Sequence, residues 1–261
     1  MNDNYDLRKV QLHLLGMLNK IDVFCKENNI KYTLDGGTAL GAYRHNGFSP
    51  WDDDLDIAMD IEDYKKFCLL FKENPPEGLF LQHSDSELNY LNGFAKIRDL
   101  STKTDEYGVA VEYDHKGLFI DVFPLECVSK SLSIISHLLH RPLFAVSKYC
   151  KLKNGSLSQR IAHMSYKTVE CLDNLFRLIC KHILKPSLYS FSYGCNIYPH
   201  KNILSKKIFD GERTELFEGS RYPVPYCIEE YLTIRYGDFK KLPPEDKRYS
   251  KHLKCISYLE V

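Results

Sequence analysis

Four aspartates lie within five residues of this 261-residue chain, at positions 52, 53, 54 and 56. Carboxylates this close repel one another unless a cation lies among them, and hard divalent cations prefer oxygen ligands. Asp54 and Asp56 begin an alternating apolar run that predicts a strand over 54–59, and alternate strand residues point to one face. The pair is therefore expected to converge on one point, whereas Asp52 and Asp53 fit a loop or capping role as well as a functional one.

A third acid, Asp121, stands alone among the apolar residues of the segment 117–124. A buried carboxylate is costly unless it is paired or binds a cation. Two interpretations stay open for Asp121: a hydrogen bond to backbone or arginine, or ligation of the same cation as Asp54 and Asp56. The upstream pair favours ligation, and the three acids together predict a metal-assisted phosphoryl-transfer site.

A Gly36-Gly37 pair lies between a predicted strand over 30–34 and a predicted helix over 38–45. A turn that leads into a helix can present backbone N–H groups to phosphate. Glycine pairs are common in turns and are usually only structural, so this one gains its value from the acids that follow it.

The elements that must position these residues predict an α+β fold. Helices and short strands alternate over 1–128, residues 131–185 have helical patterns, and an aromatic, proline-rich tail begins at Tyr222. This order favours a mixed β-sheet core flanked by helices, with a helical insertion or lobe. We expect a catalytic core over 1–128, a basic helical insertion over 129–205 and a C-terminal segment over 206–261 that packs back on the core.

Charge and cysteine usage restrict the class of protein. A formal net charge of zero argues against a nucleic-acid binder. The segment 129–190 nevertheless holds ten basic and two acidic residues, a net charge of +8. This segment predicts either a solvated face or a peripheral contact of 129–185 with an anionic membrane.

The nine cysteines are odd in number and include no Cys-x-x-Cys pair, which favours reduced thiols over disulfides. There is neither an apolar leader nor an apolar run of about 18 residues. We therefore expect a cytoplasmic protein, with the inner face of the membrane as its alternative place.

A glycine turn, a short helix and an Asp-x-Asp strand resemble the nucleotidyltransferase superfamily typified by the β-type DNA polymerases. More specifically, the chain resembles the LicD family, whose members transfer phosphocholine and related phospho-alcohols to cell-surface glycans; fukutin-related proteins share the pattern. The matching segments are 36–38, 40–45, 47–57, 96–99 with Thr102, 119–124, 223–225, 236–238 and 243–244.

The resemblance implies a nucleotidyltransferase-like core and a reaction. A CDP-linked alcohol, CDP-choline above all, would give its phospho-alcohol to a hydroxyl of a glycan or lipid-linked glycan and release CMP. The acceptor would be of the lipopolysaccharide or teichoic acid type, and Mg²⁺ or Mn²⁺ would be the cofactor.

It also implies residue roles. The catalytic metal ligands would be Asp54, Asp56 and Asp121, with Asp121 as the proton acceptor. The substrate-binding residues would be Gly36, Gly37, Thr38, Arg44, Lys96, Arg98 and Asp238. A surface ion pair is the alternative for each of the three basic residues, and a turn cap is the alternative for Asp238.

Two other functions stay open. One is transfer of a nucleotide from a nucleoside triphosphate, with release of pyrophosphate. The other is a catalytically silent scaffold that binds glycan.

Overall fold

The structure, a computed structural model, describes residues 5–109, 111, 113–127, 129–150, 152, 155–184, 188–191 and 203–259. Within these ranges the chain forms six α-helices and eleven strands, a mixed α/β arrangement compatible with the predicted α+β class. The helices are α1 (Leu7–Glu27), α2 (Gly36–His45), α3 (Ile61–Glu73), α4 (Lys130–Tyr149), α5 (Leu157–Ile179) and α6 (Ile228–Tyr236). The strands are β1 (Thr33–Leu34), β2 (Asp56–Asp60), β3 (Leu79–Gln82), β4 (Ala95–Asp99), β5 (Thr102–Glu106), β6 (Phe119–Cys127), β7 (Leu188–Phe191), β8 (Ile203–Ser205), β9 (Arg213–Phe217), β10 (Ser220–Val224) and β11 (Leu253–Tyr258).

The central sheet runs β1-β2-β6-β4-β3, and β7 and β8 extend it from the far end of β6. Strands β2 and β6 pair in parallel, whereas the other pairs of this sheet are antiparallel. The nine-residue β6 pairs with β4 over its first half and with β7 over its last three residues. Because β2 and β6 lie side by side and run in the same direction, the first residue of β2 lies opposite the third residue of β6.

Helix α1 packs its apolar face on this sheet. Asp6 caps its N-terminus by accepting a hydrogen bond from the Lys9 N–H. The buried residues recur at helical spacing, as one face of an amphipathic helix requires. They include Val10, Leu14, Met17, Leu18, Ile21 and Phe24.

Helix α2 begins at Gly36, two residues before the predicted start. The glycine pair is therefore the first turn of the helix itself rather than a separate turn. Asp35 precedes it in extended conformation, and the Asp35 N–H donates to the Asp56 carbonyl at 3.0 Å. This bond joins the start of α2 to the start of β2.

The C-terminal residues pair with distant parts of the chain. Strand β11 forms a two-stranded antiparallel sheet with β5, and β9 and β10 form a hairpin. The predicted helical stretch 131–185 contains α4 and α5, with a break between them, and no helix among the described residues is long and apolar enough to cross a bilayer.

Candidate active site

The register of the central sheet brings the predicted carboxylates together. Asp56, the first residue of β2, lies opposite Asp121 of the parallel strand β6. Lys96 of β4 lies opposite Asp121 on its other side. Residues in register on neighbouring strands point to the same face. Asp56, Asp121 and Lys96 therefore form a row across three strands, and Asp54 comes two residues before the first of them.

The negative charges of the neighbouring carboxylates repel one another. Burial, and then the negative charges of Asp54 and Asp121, raise the pKa of Asp56 well above its usual range. Burial, together with the charges of Asp121 and Asp53, also raises the pKa of Asp54. Asp52 joins the cluster: burial and the neighbouring Asp54 raise its pKa well above the ordinary value. The site holds more negative charge than its side chains neutralise.

Two basic side chains of the protein each contact one of the predicted ligands. Lys96 Nζ lies 2.7 Å from Asp121 Oδ1, and His252 Nδ1 lies 3.1 Å from Asp54 Oδ2. In the described part of the chain, the three ligands whose atoms all lie within 4.8 Å of one another are Asp53, Asp54 and His252. The oxygens of Asp54, Asp56 and Asp121 are thus near neighbours that do not form so tight a set.

Asp53 is a structural residue. Its buried carboxylate accepts hydrogen bonds from the Lys251, His252 and Leu253 N–H groups and from the Tyr5 hydroxyl. Burial opposes its charge, but the His252 and backbone hydrogen bonds outweigh burial and lower the pKa of Asp53. The same carboxylate and Asp54 raise the pKa of His252 to about 9 against the opposing effect of burial. Asp53 thereby fixes the C-terminal segment beside the site.

Replacing Asp53 with alanine is expected to lower the free energy of unfolding by about 2–4 kcal/mol, since three backbone N–H groups lose a charged acceptor. Urea unfolding measures this cost, and limited proteolysis should cut the variant first near residues 251–253. Asp105→Ala is the matched control because Asp105 faces solvent on β5, 3.7 Å from Lys254. Equal destabilisation by both substitutions would contradict the anchoring role.

The glycine pair allows α2 to approach the acids. Gly36 has φ +51°, and a Cβ there would lie 2.7 Å from Asp56 Oδ2. A Cβ on Gly37 would lie 3.1 Å from Asp52 Oδ2. Both glycines are therefore in contact with site carboxylates, and neither position has room for a side chain without a shift.

Gly36→Ala is expected to cost about 1–2 kcal/mol for the left-handed backbone conformation and to displace the Asp56 carboxylate. Displacement of a catalytic group by about 1 Å reduces turnover roughly 100-fold. Gly219→Ala is the control, because Gly219 has φ +85° with nothing within 4 Å of its Cβ position. The prediction fails if the two variants lose activity equally, as measured by product release at a temperature where both are folded.

The first turn of α2 is held by residues of α6. The Gly36 N–H donates to the Tyr231 hydroxyl at 2.9 Å, and that hydroxyl donates to Asp35 Oδ1 at 2.5 Å. Arg235 donates to Asp35 Oδ2 at 3.2 Å. The Thr38 hydroxyl, predicted as a phosphate ligand, accepts from the Asp56 N–H at 2.9 Å. The Gly36 N–H and the Thr38 hydroxyl thus already have hydrogen-bond partners within the protein. The bond to Thr38 fixes the backbone of Asp56.

The two basic residues of β4 have different surroundings. Lys96 faces Asp121, with Nζ 3.3 Å from the centre of the Phe119 ring. Arg98 is fully buried and donates to Gln82, Glu106 and the Gly117 carbonyl at 2.7–2.9 Å. Arg98 therefore takes part in an ion pair, but inside the protein rather than at the surface as its alternative had it, two residues along β4 from Lys96.

Arg44 lies at the margin of the cluster. It donates to the Phe239 carbonyl at 3.3 Å, and its guanidinium is 5.9 Å from the Trp51 ring. Burial lowers the pKa of Arg44 and the charge of Asp52 partly restores it. Asp238 lies exposed in the turn after α6, where its backbone carbonyl accepts from the Lys241 N–H.

Four residues at the site were not among those predicted. They are Tyr231, Arg235, Arg248 and His252; the Arg248 guanidinium lies 5.6 Å from the centre of the Trp51 ring. All four come from the C-terminal segment, more than 170 residues after Asp56 and at least 110 after Asp121. Their only sequence signal was the expectation that this tail returns to the core.

The donor set suits a hard divalent cation. Carboxylate oxygens are the ligands that Mg²⁺ and Mn²⁺ prefer, and excess buried negative charge favours a cation. The Asp54, Asp56 and Asp121 side chains fit this requirement. Asp53 does not, because its lone pairs are engaged by the C-terminal backbone.

Comparison with known proteins agrees with the motifs. The family described as "LicD/FKTN/FKRP, nucleotidyltransferase domain" matches residues 29–151. The lipopolysaccharide cholinephosphotransferase LicD of Haemophilus influenzae is 29% identical over 264 residues, which cover 95% of this chain and 96% of that protein.

Two further relatives match over shorter segments. Mannosyltransferase regulator 4 of Saccharomyces cerevisiae is 32% identical over 133 residues, 48% of this chain and 10% of its own length. An uncharacterized protein of Rickettsia typhi is 37% identical over 76 residues, 29% of this chain and 25% of its own. The segment 29–151, which matches the LicD family model, contains the glycine turn and all three predicted ligands, and the Haemophilus LicD protein is similar to this chain over nearly its whole length.

Proposed function

We propose that this protein transfers a phospho-alcohol, phosphocholine in the first place, from a CDP-linked donor to a hydroxyl of a cell-surface glycan and releases CMP. The observation that carries the proposal is the register pairing of Asp56 with Asp121 directly beside the Gly36-Gly37 turn. The relation to a lipopolysaccharide cholinephosphotransferase supports the choice of phosphocholine and of a lipopolysaccharide-type acceptor. We also propose that the sheet with α2 is a nucleotidyltransferase-like core.

In this proposal Asp54, Asp56 and Asp121 hold Mg²⁺, or Mn²⁺ in its place. The bound ion would neutralise charge on the diphosphate and on the departing CMP. Lys96 and Arg44 border the carboxylates and would contact phosphate oxygens of the donor. The Gly37 and Thr38 N–H groups lie in the first turn of α2, where backbone N–H groups have no partner within the helix, and they would do the same.

The reaction forms a bond between the acceptor oxygen and the phosphorus that carries the alcohol, and it breaks the bond from that phosphorus to CMP. The acceptor hydroxyl loses its proton to a carboxylate, a role that we assign to Asp121. Lys96 Nζ, 2.7 Å away, holds the Asp121 side chain in the row of acids. Thr38 and Tyr231 orient Asp56 and the start of α2.

The test incubates the protein with Mg²⁺, a glycan acceptor and either CDP-choline or CTP, and it measures CMP and pyrophosphate. We expect CMP from CDP-choline that depends on the acceptor and disappears in EDTA. Pyrophosphate from CTP, without CMP from a panel of CDP-alcohols, would overturn the proposal in favour of nucleotide transfer. Release of neither product would favour the silent scaffold, and Asp54→Asn serves as the inactive reference.

A further inference from the structure

We propose that the α4–α5 hairpin is a docking surface for an anionic membrane. This inference goes beyond the chemistry of the aspartate site and does not depend on which group that site transfers. It rests on which side of each helix faces the protein and on the charge of the side that does not.

Contacts with the core fix the orientation of α5. The buried Tyr166 donates to the Asn92 carbonyl at 2.7 Å, and Arg177 donates to the buried Glu126 at 2.7 Å. Lys167, between them, pairs with Asp85 at 2.6 Å. One side of α5 is therefore held against the loop before β4 and against the end of β6.

Polar side chains join the two helices on the same inner side. Asp173 of α5 accepts from Ser136 of α4 at 2.7 Å and pairs with His140. All three side chains are buried. The faces on which α4 and α5 meet each other and the core are thus partly polar.

The outer faces are apolar instead. Large apolar side chains recur on them at spacings of three and four residues, the spacing of one helix face. On α4, Ile134 and Ile135 are also exposed, and Leu138 has 59% of its surface exposed. On α5 the exposed fraction is 68% for Met164 and 50% for Leu175. The further exposed apolar residues of this face are Leu157, Ile161, Leu172 and Leu178.

The charge of the hairpin selects the partner. The segment 129–190 contains only two acids, Glu170 and Asp173. Asp173 is buried between the helices and Glu170 pairs with Lys167, so neither contributes negative charge to the outer face. Arg141, Arg160 and Lys181 are exposed.

An outer surface of apolar side chains flanked by basic ones matches the interface of an anionic bilayer. A second copy of this chain is a poorer partner, because the exposed Arg141, Arg160 and Lys181 of one copy would face the same basic residues of the other. We therefore place α4 and α5 flat on the membrane surface, with the apolar side chains inserted between the lipid headgroups.

The experiment is flotation of the full chain with vesicles of phosphatidylcholine, with and without phosphatidylglycerol. We expect binding to the anionic vesicles alone, and loss of binding near 1 M salt, where the Debye length is about 3 Å. Replacing Arg141, Arg160 and Lys181 with glutamine should weaken binding about 100-fold, since each basic residue contributes about five-fold. Replacing Leu138, Met164 and Leu175 with glutamine should weaken it at least as much.

The matched control replaces Leu12, Val23 and Leu69 with glutamine; these apolar residues are equally exposed but lie on α1 and α3. The control should bind vesicles as the unmodified chain does, and thermal unfolding verifies that each variant is folded. Absence of binding by the unmodified chain, or equal loss in the control, would overturn the proposal. The proposal would also be overturned, in favour of a second copy, if the unmodified chain did not bind vesicles but sedimented as a dimer. In that case the glutamine variant of Leu138, Met164 and Leu175 would sediment as a monomer, and the control variant would not.

Discussion

Asp56→Asn is expected to reduce the rate of CMP release at least about 1,000-fold. The same substitution should raise the free energy of unfolding. The substitution keeps the size of the side chain but removes the charge of the proposed metal ligand. It also removes one of the buried carboxylates that repel one another, since Asp54, Asp121, Asp35 and Asp52 all act on Asp56. The backbone hydrogen bond from Asp56 to Thr38 is unaffected. Sites that concentrate like charge commonly reduce stability for the sake of function.

The measurements are CMP release with Mg²⁺ and thermal unfolding in EDTA. A gain of about 1 kcal/mol corresponds to a rise in Tm of about 2–4 °C for a chain of this size. Asp246→Asn is the control, because Asp246 is exposed in the short 3-10 turn Glu245–Lys247 and should change neither quantity. A lower Tm for Asp56→Asn would show that the carboxylates are not in repulsion, and retained CMP release would remove Asp56 from the proposed ligands.

The charges around the acid row show why this site needs support from distant segments. Asp35, Asp53 and Asp121 each have a cationic partner, in Arg235, His252 and Lys96 respectively. Two of those partners come from the C-terminal segment, and the third comes from β4. The excess negative charge remains on the carboxylates next to the glycine turn. A divalent cation placed there would complete the neutralisation, and this is the reason for proposing that the activity depends on a metal.

Local patterns were enough to predict the elements that carry the acids. The alternation from Asp54 to Met59 predicted β2, and the helix predicted over 38–45 is α2. The lone charge in an apolar run identified Asp121 as unusual, and the structure places it opposite Asp56. These signals depend on a few neighbouring residues, so the sequence contains them in full.

Pairings between distant residues were beyond such patterns. Strand β5 reads Thr-Lys-Thr-Asp-Glu and has no apolar alternation, because its inward residues are Thr102 and Thr104. Its partner β11 lies some 150 residues later, as does His252. The helical patterns over 131–185 predicted α5 but not which of its sides meets the protein. Its apolar side is exposed, because Tyr166 and Asp173 make the inward contacts.

Arg98→Met is expected to lower the free energy of unfolding by about 3–5 kcal/mol, because it leaves Glu106 as a buried charge without its main partner. Arg98 is fully buried, and its Nη1 lies 2.7 Å from Glu106 Oε1. Gln82 and the Gly117 carbonyl also lose a donor. Since Arg98 faces away from solvent, the KM for the donor should change little in any preparation that folds.

The double variant Arg98→Met, Glu106→Gln tests this cause directly. Removing both charges should restore about 1–3 kcal/mol relative to Arg98→Met, since residues of one buried pair are not additive. Glu106→Gln alone keeps the test informative if Arg98→Met does not fold, and should cost less because Gln retains an acceptor for Arg98. Urea unfolding gives each value. A raised KM for the donor with unchanged stability would contradict the structural role and favour Arg98 as a phosphate ligand.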